Sequence, residues 1–299
     1  MPRPSPSVVG MKGTTMGDSA SPLMHRRRLR NELRSARQDK GLTQEQVAQA
    51  MEWSLSKMNR IEKAKTGISA NDLKALLPLY GITDQDRTEE LLTLARASRQ
   101  TGWWRDYADV APSTLLELID FEHAATAISQ FEPIFVPGIM QTEDYALAVL
   151  RTSFGAGSPA ERLVSLRTRR RDLLSSEGAP AFSFALDESV IRRPVGGQEV
   201  MRNQLAHLVE LAGLPNVAIQ VVPFAVGAHP GMRGSFKVIE FGDEPDEDVA
   251  FLEGPHGDII SDDPEETRAY LETFRRITEV ALDPAESVSL LGKAASELA

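Results

Sequence analysis

The chain has 299 residues, 41% hydrophobic and 25% charged, a size and composition that suit about two soluble globular domains. It holds no cysteine, which excludes disulfides and thiolate metal sites, and it has no apolar run of membrane-spanning length. The net charge of −10 is unevenly placed: residues 1–65 carry 13 Lys and Arg against 6 Asp and Glu, a balance of +7, while the remainder carries 20 against 37, a balance of −17.

In chain order, residues 1–23 are rich in Pro, Ser, Gly and Met and are expected to be disordered, with Met24 an alternative start to Met1. His25 to Gln38 reads as a first helix, with Leu29, Leu33 and Ala36 on one face and Lys40-Gly41 ending it through a left-handed cap. Thr43 is set to cap a second helix, and Gln46 completes a capping box. Val47, Ala48 and Met51 face inward, and the small Ala48 lets the next helix cross closely. Ser54 caps a third helix in which Leu55, Met58 and Ile61 fall at helical spacing. Ser69 and Thr83 or Asp84 begin a fourth and a fifth helix. The result is a five-helix all-α domain over residues 24–100, and its second and third helices form a helix-turn-helix that places the third in a DNA major groove. The basic balance of this end, set on an acidic body, is the asymmetry of a chain that meets phosphate at one end.

Gly102-Trp103-Trp104 marks the junction to a second, α+β domain over residues 101–285. Adjacent tryptophans of this kind usually pack at a domain interface. Pro112 to Gln130 reads as a helix, and Pro133 to Val136 as a short strand. Helices follow at Gln141 to Arg151 and Pro159 to Ser176. Phe182 to Leu186 alternates as a strand, and Gly197 to Ala212 is a helix. Val217 to Phe224, Phe236 to Phe241 and Val249 to Leu252 are β-rich, and Pro264 to Ala281 closes the domain as a helix. Residues 286–299 are read as a tail, a frayed helix at most.

Leu42 to Glu62 resembles the Xre-type, lambda-repressor-like DNA-binding domain, in a variety abundant in filamentous actinobacteria. Downstream, Glu132-Pro133-Ile134-Phe135-Val136-Pro137-Gly138-Ile139-Met140-Gln141-Thr142-Glu143-Asp144-Tyr145-Ala146 resembles the hallmark of that family's C-terminal domain, as do Arg193-Pro194-Val195-Gly196-Gly197 and Gly227-Ala228-His229-Pro230-Gly231. The resemblance implies an antitoxin-like transcriptional regulator, often encoded beside a small partner protein, with a C-terminal domain of undefined activity. It also implies that Leu55, Ser56, Asn59 and Arg60 meet base edges: Asn pairs with adenine, Arg with guanine, and Leu55 packs on a thymine methyl. Lys57 and Gln44 are placed for phosphate, with Arg26, Arg27 and Lys65 as outer phosphate contacts. By the family's pattern Arg37 and Glu62 form a structural ion pair between the first and third helices, against the plainer reading of a weak surface pair. Glu52 departs from the Gly common in such turns, at an expected strain of about 1 kcal/mol.

A helix-turn-helix monomer contacts few base pairs, so a homodimer on double-stranded DNA is expected. The composition fits a cytoplasmic, nucleoid-associated protein. No enzyme activity, cofactor or metal is expected, since the chain lacks G-x-S-x-G, H-E-x-x-H and Walker motifs. Asp187-Glu188 at a strand end reads as a helix cap sooner than an acid–base pair. The run Asp243 to Asp248 reads as a solvated turn sooner than a cation site. His229 and His256 lie in separate Gly-rich loops. Three roles stand open for the second domain: a platform for the small partner, a small-molecule sensor, and, with the least support, an enzyme.

Overall fold

The computed structural model describes residues 21–63, 66–154, 159–242, 248–254 and 257–298. Ser21 accepts a hydrogen bond from the Met24 N–H and starts helix α1, Pro22–Asp39, with Pro22 in the first turn where its missing N–H costs nothing. Gly41 closes that helix at φ +65°. Thr43 and Gln46 exchange the two hydrogen bonds of a capping box at α2, Gln44–Ala50, and Ser54 caps α3, Leu55–Glu62. Between them Glu52 takes φ +54°, the left-handed turn expected there. Ser69 caps α4, Ala70–Leu79, and Asp84 caps α5, Gln85–Ala97. Leu29, Leu33, Val47, Ala48, Met58, Ile61, Leu73 and Leu91 belong to one buried cluster beneath these helices. The helix-turn-helix domain is as its local signals imply.

The second domain departs from the sequence reading at several places. The helix expected over Pro112 to Gln130 ends early: α6 spans Ser113–Ala124, and strand β1 runs Ala127–Glu132. Residues 133–136 are therefore not a strand but the connection after one. Sheet pairing overrides helical spacing here, because Ala127 to Phe131 pairs on both sides, with β2, Ala181–Asp187, and with β4, Phe236–Glu240.

Helices α7, Glu143–Phe154, and α8, Ala160–Arg171, connect β1 to β2. Helices α9, Glu188–Arg192, and α10, Gln198–Leu211, connect β2 to β3, Val217–Val222. The chain then adds β4, β5 (Val249–Leu252) and β6 (Ile259–Ser261), the last not anticipated. The strand order is β3-β2-β1-β4-β5-β6, parallel from β3 to β1 and antiparallel from β1 to β6. One sheet face presents Ile128, Phe182, Phe184, Ile219 and Ile239 to the main core, which α6, α7 and α10 help to form. On the other, Phe131, Ala185 and Val238 pack against Phe274 and Ile277 of α11, Pro264–Thr278.

The residues read as a tail are part of this core. Asp283 and Glu286 form a capping box for α12, Pro284–Ser296, which packs on α10 and β3 with Leu291 fully buried. The two Trp residues pack inside the second domain. Trp104 is buried beside Leu116, Ile119 and Leu163, and Trp103 lies edge-on to it with centroids 5.8 Å apart.

Helix α1 serves both domains. Leu29 and Leu33 are in the helix-turn-helix core, whereas Met24 belongs to the core of the second domain. The Ser21 hydroxyl donates to the Asp120 carboxylate on α6.

Since α12 fills a core position, Leu291→Ala is expected to lower the unfolding free energy by about 3 kcal/mol. Denaturant titration checks this, and a change under about 0.5 kcal/mol would return the segment to the status of a tail.

Candidate DNA-binding surface and interior cavity

The N-terminal half of α3 carries its polar residues outward. Leu55 is 46% exposed. Ser56 and Arg60 are exposed and Asn59 half-buried, while Met58 and Ile61 turn into the core. Leu55, Ser56, Asn59 and Arg60 therefore share the outer side of one helix, as base reading requires. Lys57 stands at the edge of that surface. Its ammonium pairs with Asp72 at 3.0 Å and lies 4.0 Å from the Trp53 ring centroid, so a phosphate contact competes with Asp72.

Arg37 and Glu62 form a bidentate bridge, Nε to Oε1 at 2.5 Å and Nη2 to Oε2 at 3.1 Å, and Arg37 also donates to the Leu42 carbonyl at 2.6 Å. Their side chains are 12% and 4% exposed, which sets aside the weak surface pair. The hydrogen bond from Glu62 raises the Arg37 pKa further above its ordinary value. Gln44 enters the same network by donating from Nε2 to Glu62 Oε2 at 2.6 Å. One of its two amide hydrogens is thereby committed inward, which leaves the other for phosphate.

Two expected phosphate contacts are corrected. Arg27 is 4% exposed, with its guanidinium 5.4 Å from the Phe121 ring centroid and 5.7 Å from that of Phe241, both in the second domain. It also lies 3.8 Å from Asp262. Arg26 is half-buried at the domain junction, where its Nη2 donates to the Ser98 carbonyl at 3.3 Å. Burial, then Arg105, lowers its pKa. Arg27 is spent on holding α1 to the second domain, and Arg26 on the C-terminal end of α5. Lys65 lies outside the described residues.

In the second domain a cavity of about 310 Å³ opens between β1, β4 and β5 on one side and α6, α7 and α8 on the other. Its wall carries charges that strand alternation points into an otherwise apolar face: Gln130 and Glu132 of β1 and Lys237 of β4, each 6% exposed or less. Beneath them Glu122 of α6 accepts two hydrogen bonds from Arg170, both 2.6 Å, and one from Lys237 at 2.9 Å. Burial would push the Glu122 carboxyl up, but Arg170 and Lys237 outweigh it and hold it far below the ordinary range. Glu132 behaves oppositely. Burial, then the neighbouring Glu253, pushes it up to about 8, so it is largely neutral at pH 7. Its Oε1 accepts from Gln130 Nε2 at 2.6 Å.

The remaining candidates have structural duties. Asp187 caps α9 by accepting from the Ser189 N–H, and its other oxygen lies 3.2 Å from His229 Nε2. His229 Nδ1 accepts from the Gly231 N–H, so the ring braces its own loop. Among the described residues no group of three His, Asp or Glu is arranged to hold a metal ion. His256 and residues 243–247 of the acidic run lie outside them. No helix among the described residues is long and apolar enough to cross a membrane.

Residues 28–91 match the model described as a helix-turn-helix domain. Residues 115–293, more than half of the chain, match the domain of unknown function DUF5753. The chain belongs to the DUF5753 family. Its helix-turn-helix domain makes it a DNA-binding regulator, and the DUF5753 segment spans α7 to α11, all six strands and most of α6 and α12. No curated protein and no solved structure matches the chain.

The DUF5753 cavity was not foreseen. Glu122 of α6, Gln130 and Glu132 of β1, Arg167 and Arg170 of α8 and Lys237 of β4 come from four elements, and only the three strand residues carry a sequence signal, a charged or amide residue at the inward phase. Two outcomes follow. Arg37→Met should destabilise the protein by about 3 kcal/mol, read by denaturation, since it leaves Glu62 buried without its main partner. For Glu132 the folded pKa lies above the ordinary value, so its neutral form contributes stability that is full below pH about 4.5 and is lost as pH rises through about 8. Relative to Glu132→Gln, the wild-type Tm should therefore fall across that interval. Parallel Tm curves would overturn the assignment.

Proposed function

We propose that this protein is a sequence-specific transcriptional regulator, homodimeric, antitoxin-like and of Xre type, working on the nucleoid in the cytoplasm of a filamentous actinobacterium. The observation that supports this reading is the outward set Leu55, Ser56, Asn59 and Arg60, fixed above the buried Arg37–Glu62–Gln44 network. Arg60 and Asn59 discriminate bases through paired hydrogen bonds, Leu55 packs on a thymine methyl, and Lys57 and Gln44 set the register on phosphate. Two protomers place two such helices about 34 Å apart on half-sites of an inverted repeat.

The DUF5753 domain modulates DNA binding without catalysis, as the platform for a small partner protein encoded nearby. The cavity favours a second role for the same domain, a small-molecule sensor. It combines apolar walls with a few convergent polar groups, the usual make-up of a ligand site.

The deciding experiment is enrichment of genomic fragments by the purified full chain at about 150 mM salt. An inverted-repeat motif is expected, and enrichment without a motif would overturn sequence-specific regulation. On the recovered site, Arg60→Ala should cost about 1–3 kcal/mol and relax preference at one position, whereas Lys57→Ala should weaken specific and random DNA alike and reduce the salt slope by about 1. Equal loss on both DNAs from Arg60→Ala would remove it from the base-reading set. Light scattering should give a dimer at micromolar concentration, and a monomer on the operator as well as alone would refute the homodimer.

A further inference from the structure

We propose that the cavity between β1, β4, β5 and helices α6, α7 and α8 binds a small monocarboxylate that also carries a hydrogen-bond donor and an apolar group. This rests on the sensor reading and names the class of molecule sensed.

Three unmet requirements inside the cavity carry the assignment. The first is a cation. Arg170 and Lys237 share Glu122, but Arg167 has no carboxylate at ion-pair distance among the described residues. Its hydrogen bond goes to a neutral acceptor, Gln141 Oε1, at 2.6 Å. Burial, then Arg170, lowers its pKa to about 10, so it remains charged at pH 7. A recessed guanidinium with uncommitted N–H groups takes a carboxylate through paired hydrogen bonds.

The second is an acceptor. Gln130 is 2% exposed, and its Oε1 has no hydrogen-bond partner. A buried amide oxygen left unpaired costs about 1–3 kcal/mol, which a donor on a bound molecule recovers. Glu132, neutral at pH 7, bonds the other end of that amide and adds no charge to repel an anion.

The third is apolar contact. Leu118, Val136, Val149, Leu163 and Phe251 line the same space. A volume of about 310 Å³ suits a molecule of the size of an amino-acid derivative.

Arg167, Arg170 and Lys237 face one buried ionised carboxylate, Glu122. The excess positive charge is offset at the wall by Asp258 and by Glu253, which acts on Arg167 as well. That balance suits an anion of single charge and disfavours a dianion such as phosphate. The place in the fold agrees: Gln130 and Glu132 sit in the C-terminal half of β1, with Lys237 of the antiparallel β4 directly opposite Gln130.

The test uses the full chain at pH 7 and a panel of N-acetyl-leucine, N-acetyl-phenylalanine, 2-hydroxy-4-methylpentanoate and mandelate, each beside its primary amide. Binding is read by ligand-observed NMR and calorimetry at up to ~1 mM ligand. At least one acid is expected to bind at least tenfold more tightly than its amide, about 1.4 kcal/mol. Arg167→Gln should erase that preference. Gln130→Leu should instead erase the advantage of 2-hydroxy-4-methylpentanoate over 4-methylpentanoate, which lacks the donor. Because Gln130→Leu replaces an amide by an apolar group of similar size, it keeps the test open if Arg167→Gln does not fold.

Amides that bind as well as acids, or a preference that survives Arg167→Gln, would overturn the carboxylate assignment. The sensor reading would stand in that case only if Leu163→Trp, which fills the cavity, abolished binding. No binding by any member would sink both.

Discussion

Helix α1 is built into two cores at once, and the arrangement of the molecule depends on it. At 18 residues it is about 27 Å long. Its first turns carry Met24 into the second domain's core and lay Arg27 across Phe121 and Phe241. Its later turns supply Leu29 and Leu33 to the helix-turn-helix core and end near Arg37, which orients α3 through Glu62. Arg30 adds a 2.7 Å contact to Asp262 beyond β6. A helix fixed at both ends by buried contacts transmits orientation as a rigid element. The cavity touches it indirectly: α6 contributes Leu115 and Leu118 to the cavity wall and Asp120 to the hydroxyl of Ser21. Helix α6 is thus joined through Ser21 and α1 to Glu62 at the end of α3.

The buried charges of the second domain set a different constraint. Glu122, Arg170 and Lys237 are each 5% exposed or less. Desolvating three ions costs several kcal/mol apiece, and a well-packed apolar substitute often does as well or better for stability. Here the charges do more than join α6, α8 and β4. Arg170 and Lys237 line a space beside a carboxyl group held neutral and a guanidinium, that of Arg167, with no carboxylate at ion-pair distance among the described residues. Charge at that density on a sheet face meant for packing is the mark of a site sooner than of a core.

Much of the helix-turn-helix domain was legible because its signals are local. Thr43, Ser54, Ser69 and Asp84 each accept from the backbone N–H three residues on, and Gly41 and Glu52 turn the chain with positive φ. The errors arise where a distant partner decides. Apolar and alanine residues from Leu115 to Ile128 continue a helical spacing with no Gly or Pro to stop it, and the stop comes from β2 and β4, about 50 and 110 residues away. Arg27 looks like any basic residue at a helix start until Phe121 and Phe241 close over it. The α12 capping box was present in Asp283-Pro284-Ala285-Glu286, but a Ser- and Ala-rich stretch carries little hydrophobic signal until α10 covers it. The cavity was the least legible part, since Glu122 and Lys237 lie 115 positions apart.

The double membership of α1 bears on how such a chain can be recombined. The seam near Gly102, where composition suggests that one module could be cut and another joined, is not where the packing divides. A helix-turn-helix grafted from elsewhere would arrive with a first helix unable to fill the space that Met24 and Arg27 occupy against Phe121 and Phe241. Exchange of DNA-reading heads among relatives is therefore simplest downstream of those turns, inside α1 itself, so that the receiving body keeps its own first turns and inherits only a new reader.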